Sequence, residues 1–302
     1  MIEKYIDKLI QNLPENEKSF KKIDLVLDGG IFNGSYLVGA LYFLREMERK
    51  NYLKIERISG CSVGAIVGFL YYIDALYLMP ELYEIIKTEF KNNFQLSFVK
   101  QLKSFLINKI PTNICVKING KLFICYNDLN KCKKIVKSNF ANIDEIIDTI
   151  IKSCYIPLLI DNKLIYKKRY IDGINPYIFK QSKNKKILHM ELFSYDKFIY
   201  CLNIKNEKNN FHRILMGMLD VHSFFVKKSN TSMCSYVNNW GILNNCNYLL
   251  KLIVEKIIIY ILILFLFIKK FLPKNIYNSL IVKITSKICF VIFSIILENY
   301  FL

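Results

Sequence analysis

One serine stands in a setting that suits nucleophilic catalysis. Ser62 lies between Gly60 and Gly64, directly after the apolar run Ile55–Ser59. The Gly-x-Ser-x-Gly pattern is typical of a nucleophile elbow, a sharp strand-to-helix turn that exposes the serine hydroxyl. The glycines leave room for the turn, and the N–H groups at the start of the helix would lie beside the serine. A tight turn with an idle serine is the alternative that this motif alone leaves open.

A second glycine-rich turn precedes this serine. The chain has only 11 glycines in 302 residues, yet seven of them fall within residues 29–68. Gly29, Gly30 and Gly34 follow Asp28 and a short apolar run. A glycine-rich turn at a helix start presents several N–H groups to an anion. That anion is either a phosphate or the oxyanion of an acyl-transfer intermediate.

A serine nucleophile needs a base, and Asp172 is the best candidate. Asp172-Gly173 closes a short run of β character, so a tight turn can aim the carboxylate into a site. Histidine is the usual base, but no histidine here has a Gly or Asp neighbour that suggests a catalytic loop; the three are His189, His212 and His222. Alone, Asp172-Gly173 is only a turn. Beside Ser62 it predicts a Ser–Asp dyad, in which burial must raise the pKa of Asp172.

Other chemistries fit the residues less well. Cys61 adjoins Ser62, but successive residues of an elbow point in different directions, so the serine is the better nucleophile. The nine cysteines form no Cys-x-x-Cys pair and no Cys/His cluster with zinc spacing, so we expect no metal and no other cofactor. Their odd number, their scatter and the absence of a secretory signal peptide favour an intracellular, reducing setting.

The order of these motifs resembles that of the patatin-like phospholipase family. That family has a loop of the form Asp-Gly-Gly-Gly-x-Arg/Lys-Gly, then a Gly-x-Ser-x-Gly elbow, then an Asp-Gly pair. The matching residues are Asp28, Gly29, Gly30 and Gly34 for the loop, Gly60, Ser62 and Gly64 for the elbow, and Asp172 and Gly173 for the pair. A segment from Ser153 to Pro157 also resembles the family's Ser-x-x-x-Pro. The resemblance covers roughly residues 20–185.

The resemblance implies a fold and a reaction. The fold is a three-layer α/β core with a mostly parallel central sheet and flanking helices. The reaction is lipid acyl hydrolysis of the phospholipase A type, in which Asp172 deprotonates Ser62 and an acyl-enzyme forms on the serine. The resemblance places the oxyanion hole on the loop, at Gly29, Gly30, Ile31 and Gly34.

Two loop residues depart from the family pattern. Ile31 stands at the third glycine, and Asn33 stands at the Arg/Lys position, where it can donate a hydrogen bond but carries no charge. Losing one oxyanion donor typically lowers the rate by about 10²–10³. A weakly active or inactive membrane- or lipid-binding protein is therefore the alternative function, and a thioesterase-like or protein-deacylating enzyme is a third. Intact Ser62 and Asp172 favour the enzyme.

The chain is strongly basic, with a formal net charge of +18. Basic residues cluster in residues 131–137, 163–169 and 180–186. No helix-turn-helix, zinc-finger or RNP-type pattern is present, so no nucleic acid is expected as a partner. An anionic membrane surface is the more coherent partner, at about 1 kcal/mol per well-placed basic residue. A coding bias toward Lys, Asn and Ile is the alternative source of the charge.

The C-terminal tail is predicted to associate with a membrane. Residues 249–268 approach the about 20 apolar residues that a spanning helix needs, but they contain Lys251, Glu255 and Lys256 near one end. Residues 276–297 carry two lysines on one face, which is typical of an interfacial helix. A transmembrane span, a membrane-embedded or interfacial hairpin, and ordinary buried helices all remain open.

These features divide the chain into four parts: an N-terminal helix over 1–20, a catalytic domain over 21–208, a helical extension over 209–248 and the membrane-associated tail over 249–302. Strands are predicted at 23–27, 55–59, 163–171, 187–192 and 197–204. Helices are predicted at 35–50, 63–78, 80–105 and 143–153, the last capped by Asn142. Residues 80–106 are expected to pack as ordinary helix, with a lid over the site as the alternative.

Overall fold

The chain folds around one seven-stranded sheet in a computed structural model that describes residues 2–182, 185–193, 199–205 and 207–271. The strands are β1 (Lys21–Leu27), β2 (Leu53–Cys61), β3 (Leu122–Asp128), β4 (Lys133–Lys137), β5 (Tyr170–Asp172), β6 (Lys186–Met190) and β7 (Cys234–Tyr236). The central strands β3-β2-β1-β6 are parallel, whereas β4, β5 and β7 pair antiparallel. The predicted α/β fold is confirmed, but the sheet is mixed rather than mostly parallel.

Helices surround this sheet. They are α1 (Ile2–Gln11), α2 (Gly34–Arg49), α3 (Val63–Tyr72), α4 (Met79–Asn93), α5 (Leu102–Leu106), α6 (Ile114–Ile118), α7 (Ile143–Ser153), α8 (Phe211–Lys227) and α9 (Ile242–Phe271). Helix α7 has the predicted bounds because Asn142 caps it: Glu145 N–H donates to Asn142 Oδ1 at 2.9 Å. Helix α1 ends at Gln11, well before the end of the N-terminal helix predicted over 1–20, and it buries Ile6 and Ile10.

The two faces of the sheet are covered differently. Alternate side chains of a strand point to opposite faces. Leu25 and Leu27 join the large core formed with α2, α3 and α8, whereas Val26 joins a smaller cluster with Phe179 and Val237. The described members of that cluster outside the strands come from an extended segment and the turn before α9. Among the described residues, irregular segments therefore cover this part of the sheet, where a three-layer core predicts an outer helical layer.

One predicted strand is reduced to its end. Of residues 163–171, only the last two belong to a strand, β5. Lys167 and Lys168 have φ of +47° and +57°, which places them in the left-handed region and prevents an extended run.

Three other predicted elements also differ. The helix expected over 63–78 is interrupted after α3, where Asp74 has φ of +59°. The helix expected over 80–105 ends with α4 because Phe94, at φ +53°, forms a left-handed C-cap. In the region predicted as a strand over 197–204, the described residues form a 3₁₀ turn, and its first two positions lie outside the described residues.

Helix α8 crosses α2 at two glycines. A Cβ added to Gly39 would lie 1.8 Å from Ile214 O, and one added to Gly217 would lie 1.9 Å from Tyr36 O. Only glycine permits backbones to approach this closely. The predicted helical extension, which contains α8, therefore packs onto the core of the predicted catalytic domain; the boundary between the two stays a prediction.

Helix α9 docks on the catalytic domain. Within the described residues no helix has the length and apolarity needed to cross a bilayer, so the single span over 249–268, one of the three alternatives for the tail, is not supported. Lys251, Glu255 and Lys256 interrupt the apolar run, and the first two form ion pairs with the rest of the domain. The second apolar stretch, 276–297, on which a hairpin depends, lies outside the described residues.

Candidate active site

Ser62 forms the turn between β2 and α3. Its φ of +50° and ψ of −129° are strained and typical of a nucleophile elbow. Gly60 and Gly64 permit the turn because a Cβ on Gly60 would lie 2.5 Å from Gly64 O. The Ser62 side chain is 7 % exposed, so the hydroxyl faces a largely enclosed site.

The glycine-rich loop lies against this elbow. A Cβ added to Gly29 would lie 3.2 Å from Ser62 Cβ, and one added to Gly34 would lie 2.2 Å from Val63 Cγ2. The loop and the elbow meet because β1 and β2 are adjacent parallel strands whose carboxyl ends share one edge. Ile31 has φ of +45°, so it holds the left-handed backbone where the resemblance expects glycine.

The pairing register of β3 places Asp172 in the same cavity as Ser62. The first half of β3 pairs with the end of β2, with Cys125 opposite Cys61. The second half pairs antiparallel with β5, with Tyr126 opposite Asp172. Because β4 pairs with the opposite edge of β3, β5 and β2 lie one after the other along the same edge of β3. The carboxyl ends of β2 and β5 therefore meet end to end, and Asp172 and Ser62 line one cavity.

Burial dominates the chemistry of Asp172, raising the pKa of its carboxyl from 3.8 to about 7. Ile174 N–H, which donates to Oδ1 at 2.6 Å, and the Ser62 hydroxyl lower this pKa and offset part of the rise. No bond of 3.5 Å or shorter joins Ser62 Oγ to the carboxylate, and Oδ2 has no partner among the described residues. Catalytic contacts often tighten only when substrate binds. A spare acceptor on a base of this pKa suits proton abstraction near neutrality.

Ser153 connects the elbow to the aspartate turn. Ser62 N–H donates to Ser153 Oγ at 3.0 Å, and that hydroxyl donates to Cys125 O at 2.6 Å. Gly173 N–H donates to Ser153 O at 3.3 Å. One buried serine at the end of α7 thus fixes three segments around the two candidate catalytic residues. The sequence gives no indication of this role beyond the place of Ser153 in the Ser-x-x-x-Pro segment.

The predicted oxyanion residues differ in the availability of their N–H groups. Gly29 N–H donates to the preceding carboxylate at 3.1 Å, and Gly34 N–H donates to Ile31 O. Within the described residues no hydrogen bond engages the N–H of Gly30 or Ile31. Val63 N–H is also unused, as the first N–H groups of a helix usually are. The available donors are therefore at Gly30, Ile31 and Val63, while Gly29 and Gly34 shape the loop.

The alternative nucleophile and bases lie in unsuitable settings. Burial raises the pKa of the Cys61 thiol well above its usual value, so the reactive thiolate is disfavoured. None of His189, His212 and His222 lines the cavities beside Ser62. Burial lowers the pKa of His189 and His222, and His212 is exposed on α8. The described part of the chain holds no group of three or more His, Cys, Asp or Glu placed to hold a metal ion.

Two cavities flank Ser62, and both are also lined by Ile31 and Ile156. The narrow cavity, about 50 Å³, lies against α3 and α4 and is further lined by Phe32, Ile66, Leu82, Tyr83, Ile86 and Val99. The wide cavity, about 490 Å³, lies beneath α9 and is further lined by Pro157, Asp172, Leu250, Val254, Ile258 and Leu262. Both are predominantly apolar, so the site is suited to apolar chains. Residues 80–106 wall the narrow cavity and bury Leu82, Phe90 and Leu102 in the core, as ordinary packing predicts.

Glu255 fixes α9 beside the aspartate turn. This carboxylate is 3 % exposed and accepts hydrogen bonds from Lys134 Nζ at 2.7 Å and Asn175 Nδ2 at 2.9 Å. Asn127 Nδ2 donates both to Glu255 Oε1 at 3.0 Å and to Asp172 O at 2.9 Å. The helix and the candidate base therefore share one polar network.

Lys251 fixes α9 to the loop on the other side of the site. It forms an ion pair with Glu191 and lies 3.8 Å from Asp28 Oδ2. Although burial lowers the pKa of Lys251, the carboxylates of Asp28 and Glu191 raise it overall. Lysine and glutamate residues that break the apolar pattern in the sequence thus serve as attachments to the active-site rim.

Comparison with known proteins finds a family match over the first part of the chain. A family model described as patatin-like phospholipase matches residues 25–123, which include the glycine-rich loop and the elbow but not Asp172. This match and the curated relatives together support a patatin-like phospholipase family for the chain. Members of this family are lipid hydrolases or acyltransferases.

Three curated relatives resemble about half of this patatin-like chain. Mouse 1-acylglycerol-3-phosphate O-acyltransferase Pnpla3 is 26 % identical over 151 residues, covering 47 % of the chain and 37 % of the relative. The human protein of the same name is 29 % identical over 155 residues, covering 47 % and 31 %. Human omega-hydroxyceramide transacylase is 25 % identical over 156 residues, covering 48 % and 29 %. The aligned part spans about a third of the length of these relatives.

Proposed function

We propose that this chain is a serine lipid acyl hydrolase of the phospholipase A type. Ser62 is the nucleophile and Asp172 is the general base. The observation that carries the proposal is the strained Ser62 turn beside a buried carboxylate with a raised pKa and an unpartnered oxygen, both in an apolar cavity. The two residues come from separate motifs and are brought together by strand register.

The reaction proceeds in two halves. Asp172 takes the Ser62 proton while Oγ bonds to the ester carbonyl carbon, and the carbonyl oxygen becomes an oxyanion held by the N–H groups of Gly30, Ile31 and Val63. The ester C–O bond then breaks, and the alcohol leaves with the proton from Asp172. Water attacks the acyl-enzyme with Asp172 again as base, which releases a fatty acid and restores the serine.

A lipid surface is the proposed setting. Helix α9 walls the wide cavity and also exposes large apolar side chains: Leu249, Ile253, Ile257, Tyr260, Ile261, Leu264, Phe265 and Ile268 are each at least 47 % exposed. An exposed apolar strip of this kind marks an interaction surface. With a net charge of +18, it fits an anionic bilayer, from which a lipid passes along α9 to Ser62.

Acyl transfer is a second candidate. The relatives are named as an acyltransferase and a transacylase, and the wide cavity beside Ser62 has a mainly apolar lining that suits a lipid acceptor. The first half of the reaction is unchanged. In the second half a lipid hydroxyl replaces water, gives its proton to Asp172 and leaves as the new ester.

The deciding experiment measures fatty-acid release from mixed anionic and zwitterionic phospholipid vesicles. The full chain is compared with Ser62→Ala and Asp172→Asn, and with the exposed-site controls Ser104→Ala and Asp144→Asn. We expect the first two substitutions to abolish release, by about 10³-fold or more, and the controls to retain it. Vesicle flotation run in parallel reports binding independently of chemistry.

The outcomes separate the candidates. A parallel reaction with added lysophospholipid distinguishes hydrolysis from transfer, because transfer yields a diacyl product that Ser62→Ala does not form. Binding without release or transfer by the wild-type chain would replace the enzyme with the lipid-binding alternative. Release that survives in both Ser62→Ala and Asp172→Asn would exclude these two residues as the catalytic pair.

A further inference from the structure

A buried arginine supports the glycine-rich loop from outside it. Arg213, on α8, is 0 % exposed. Its guanidinium donates to Asn33 Oδ1 at 2.6 Å and to Glu207 Oε1 at 2.7 Å. It also donates to the carbonyls of Tyr200 at 2.9 Å and Asn203 at 2.8 Å. A planar, always charged fork with this many partners fixes the groups that it touches.

Asn33 passes this restraint into the loop. It is 0 % exposed and stands where the loop pattern has Arg or Lys. Its side-chain Nδ2 donates to Leu192 O at 3.3 Å and to Cys201 Sγ at 3.1 Å, and its backbone N–H donates to Gly30 O at 2.8 Å. The cation missing from the loop sequence is therefore present in space, on a different helix.

The bond from Asn33 to Gly30 O orients the next peptide. A trans peptide unit is planar, and its C=O and N–H point in opposite directions. Since Gly30 C=O points toward Asn33 N, Ile31 N–H points away from it. Ile31 also lines both cavities together with Ser62.

We propose that Arg213 is a positioning residue for the oxyanion hole. Through Asn33 it holds the Gly30–Ile31 peptide with Ile31 N–H toward the reacting ester. The inference rests on the proposed function and extends it to a residue more than 150 positions from the elbow. Glu207, which also accepts from the Tyr83 hydroxyl in the wall of the narrow cavity, fixes the guanidinium from behind.

The test compares steady-state fatty-acid release by Arg213→Lys, by the charge-neutral pair Arg213→Met with Glu207→Gln, and by the exposed control Arg49→Met. Lysine keeps the charge but not the fork, and removing both ionic partners avoids an unpaired buried charge. We expect kcat to fall about 10- to 100-fold in Arg213→Lys and in the charge-neutral pair, while KM changes less than about threefold. This fall is somewhat smaller than the loss of about 10²–10³ that removal of an oxyanion donor causes. Covalent labelling of Ser62 by a long-chain organophosphonate should slow by a similar factor, because its phosphoryl oxygen uses the same donors.

A swap variant tests the loop position directly. Asn33→Arg combined with Arg213→Asn returns the cation to the loop, and we expect at least a tenfold gain in kcat over Arg213→Asn alone. The inference would be overturned if folded Arg213→Lys and the folded Arg213→Met, Glu207→Gln variant both kept the kcat and labelling rate of the wild type. It would also be overturned if the swap variant showed no gain in kcat over Arg213→Asn. Absence of release by the wild-type chain would count against the proposed function instead, and thermal melting reports folding separately.

Discussion

The two sides of the candidate active site are built in different ways. The nucleophile side lies within residues 28–64, where two strand–turn–helix units bring glycine backbones into contact. The base side gathers Asp172, Asn127, Asn175 and Glu255 from distant segments; Asn127 and Glu255, which share a hydrogen bond, are 128 positions apart. The first side is held by backbone geometry and the second by a network of polar side chains.

This difference predicts two kinds of failure. Added side-chain volume should break the nucleophile side, because its backbones touch where only glycine fits. Changes of charge or pH should act on the base side, because burial there already raises the pKa of Asp172 to about 7. Substitutions on each side therefore test whether the two sides fail in these different ways.

The largest effect is expected from volume added at the elbow. In Gly60→Ala the new Cβ would lie 2.5 Å from Gly64 O, so the turn must shift and Ser62 with it. We expect fatty-acid release to fall by about 10³-fold or more and stability to fall by roughly 1–3 kcal/mol, measured by vesicle assay and urea unfolding. Gly241→Ala is the matched control, since a Cβ there meets nothing within 4 Å. Equal loss in both variants would mean that the elbow is not specifically crowded.

Stability should increase when the base loses its charge. The folded-state pKa of Asp172 is raised, so its contribution to stability is largest below the unfolded pKa near 3.8 and is lost as pH rises through about 7. The free energy of unfolding of Asp172→Asn, measured by urea unfolding, should therefore exceed that of the wild type by on the order of 4 kcal/mol at pH 8. The difference should shrink progressively toward pH 4. A pH-independent difference would contradict the burial of an ionised carboxylate.

The pH dependence of activity should report the same group. Only deprotonated Asp172 accepts the Ser62 proton, so kcat/KM should fall about tenfold per pH unit below about 7 and level off above it. Initial rates of fatty-acid release between pH 5 and 9, with vesicle binding measured at each pH, test this expectation. A flat profile from pH 5.5 to 8 would show that another group acts as base.

The smallest effect is expected from the C-terminal attachment. The Glu255 carboxylate raises the pKa of Asp172, so Glu255→Gln should move the midpoint of the activity profile to lower pH. We expect kcat to change by less than about tenfold, because an amide keeps most of the hydrogen bonds. Lys256→Gln is the control on the same helix, since Lys256 is exposed. An unchanged midpoint in Glu255→Gln would show that Glu255, and with it α9, does not influence the pKa of the base.

Part of the fold is predictable from the sequence. The strands at 23–27 and 55–59 and the helices at 35–50 and 143–153 lie within or close to the observed elements, since their apolar patterns and caps are local signals. Strands β3, β4 and β7 were not predicted. Strand β4 is lysine-rich and β7 has three residues, and the formation of such strands depends on partners more than on intrinsic preference. Strand β3 is different, because its apolar run Leu122–Tyr126 is itself a local strand signal.

The candidate site shows the same division. The sequence indicates Ser62 and Asp172 as chemically suitable residues, because turn motifs report their own backbone geometry. It gives no sign that Ser153 ties the two turns together. The membrane span considered for the tail is unsupported for a related reason: the sequence shows the charges on α9 but does not reveal that Lys251 and Glu255 have partners elsewhere in the fold.

The glycine-rich loop and the elbow can be identified from the sequence alone, and they indicate the family, because each motif is carried by a few neighbouring residues. The tertiary structure was needed to show that Asp172 and Ser62 line one cavity, that Arg213 donates to Asn33 and that α9 walls the wide cavity. The first placement depends on which edge of β3 is left for β5 to pair with, and the second depends on the crossing of α2 and α8. Such pairings are set by the packing of the whole domain, and no single segment encodes them.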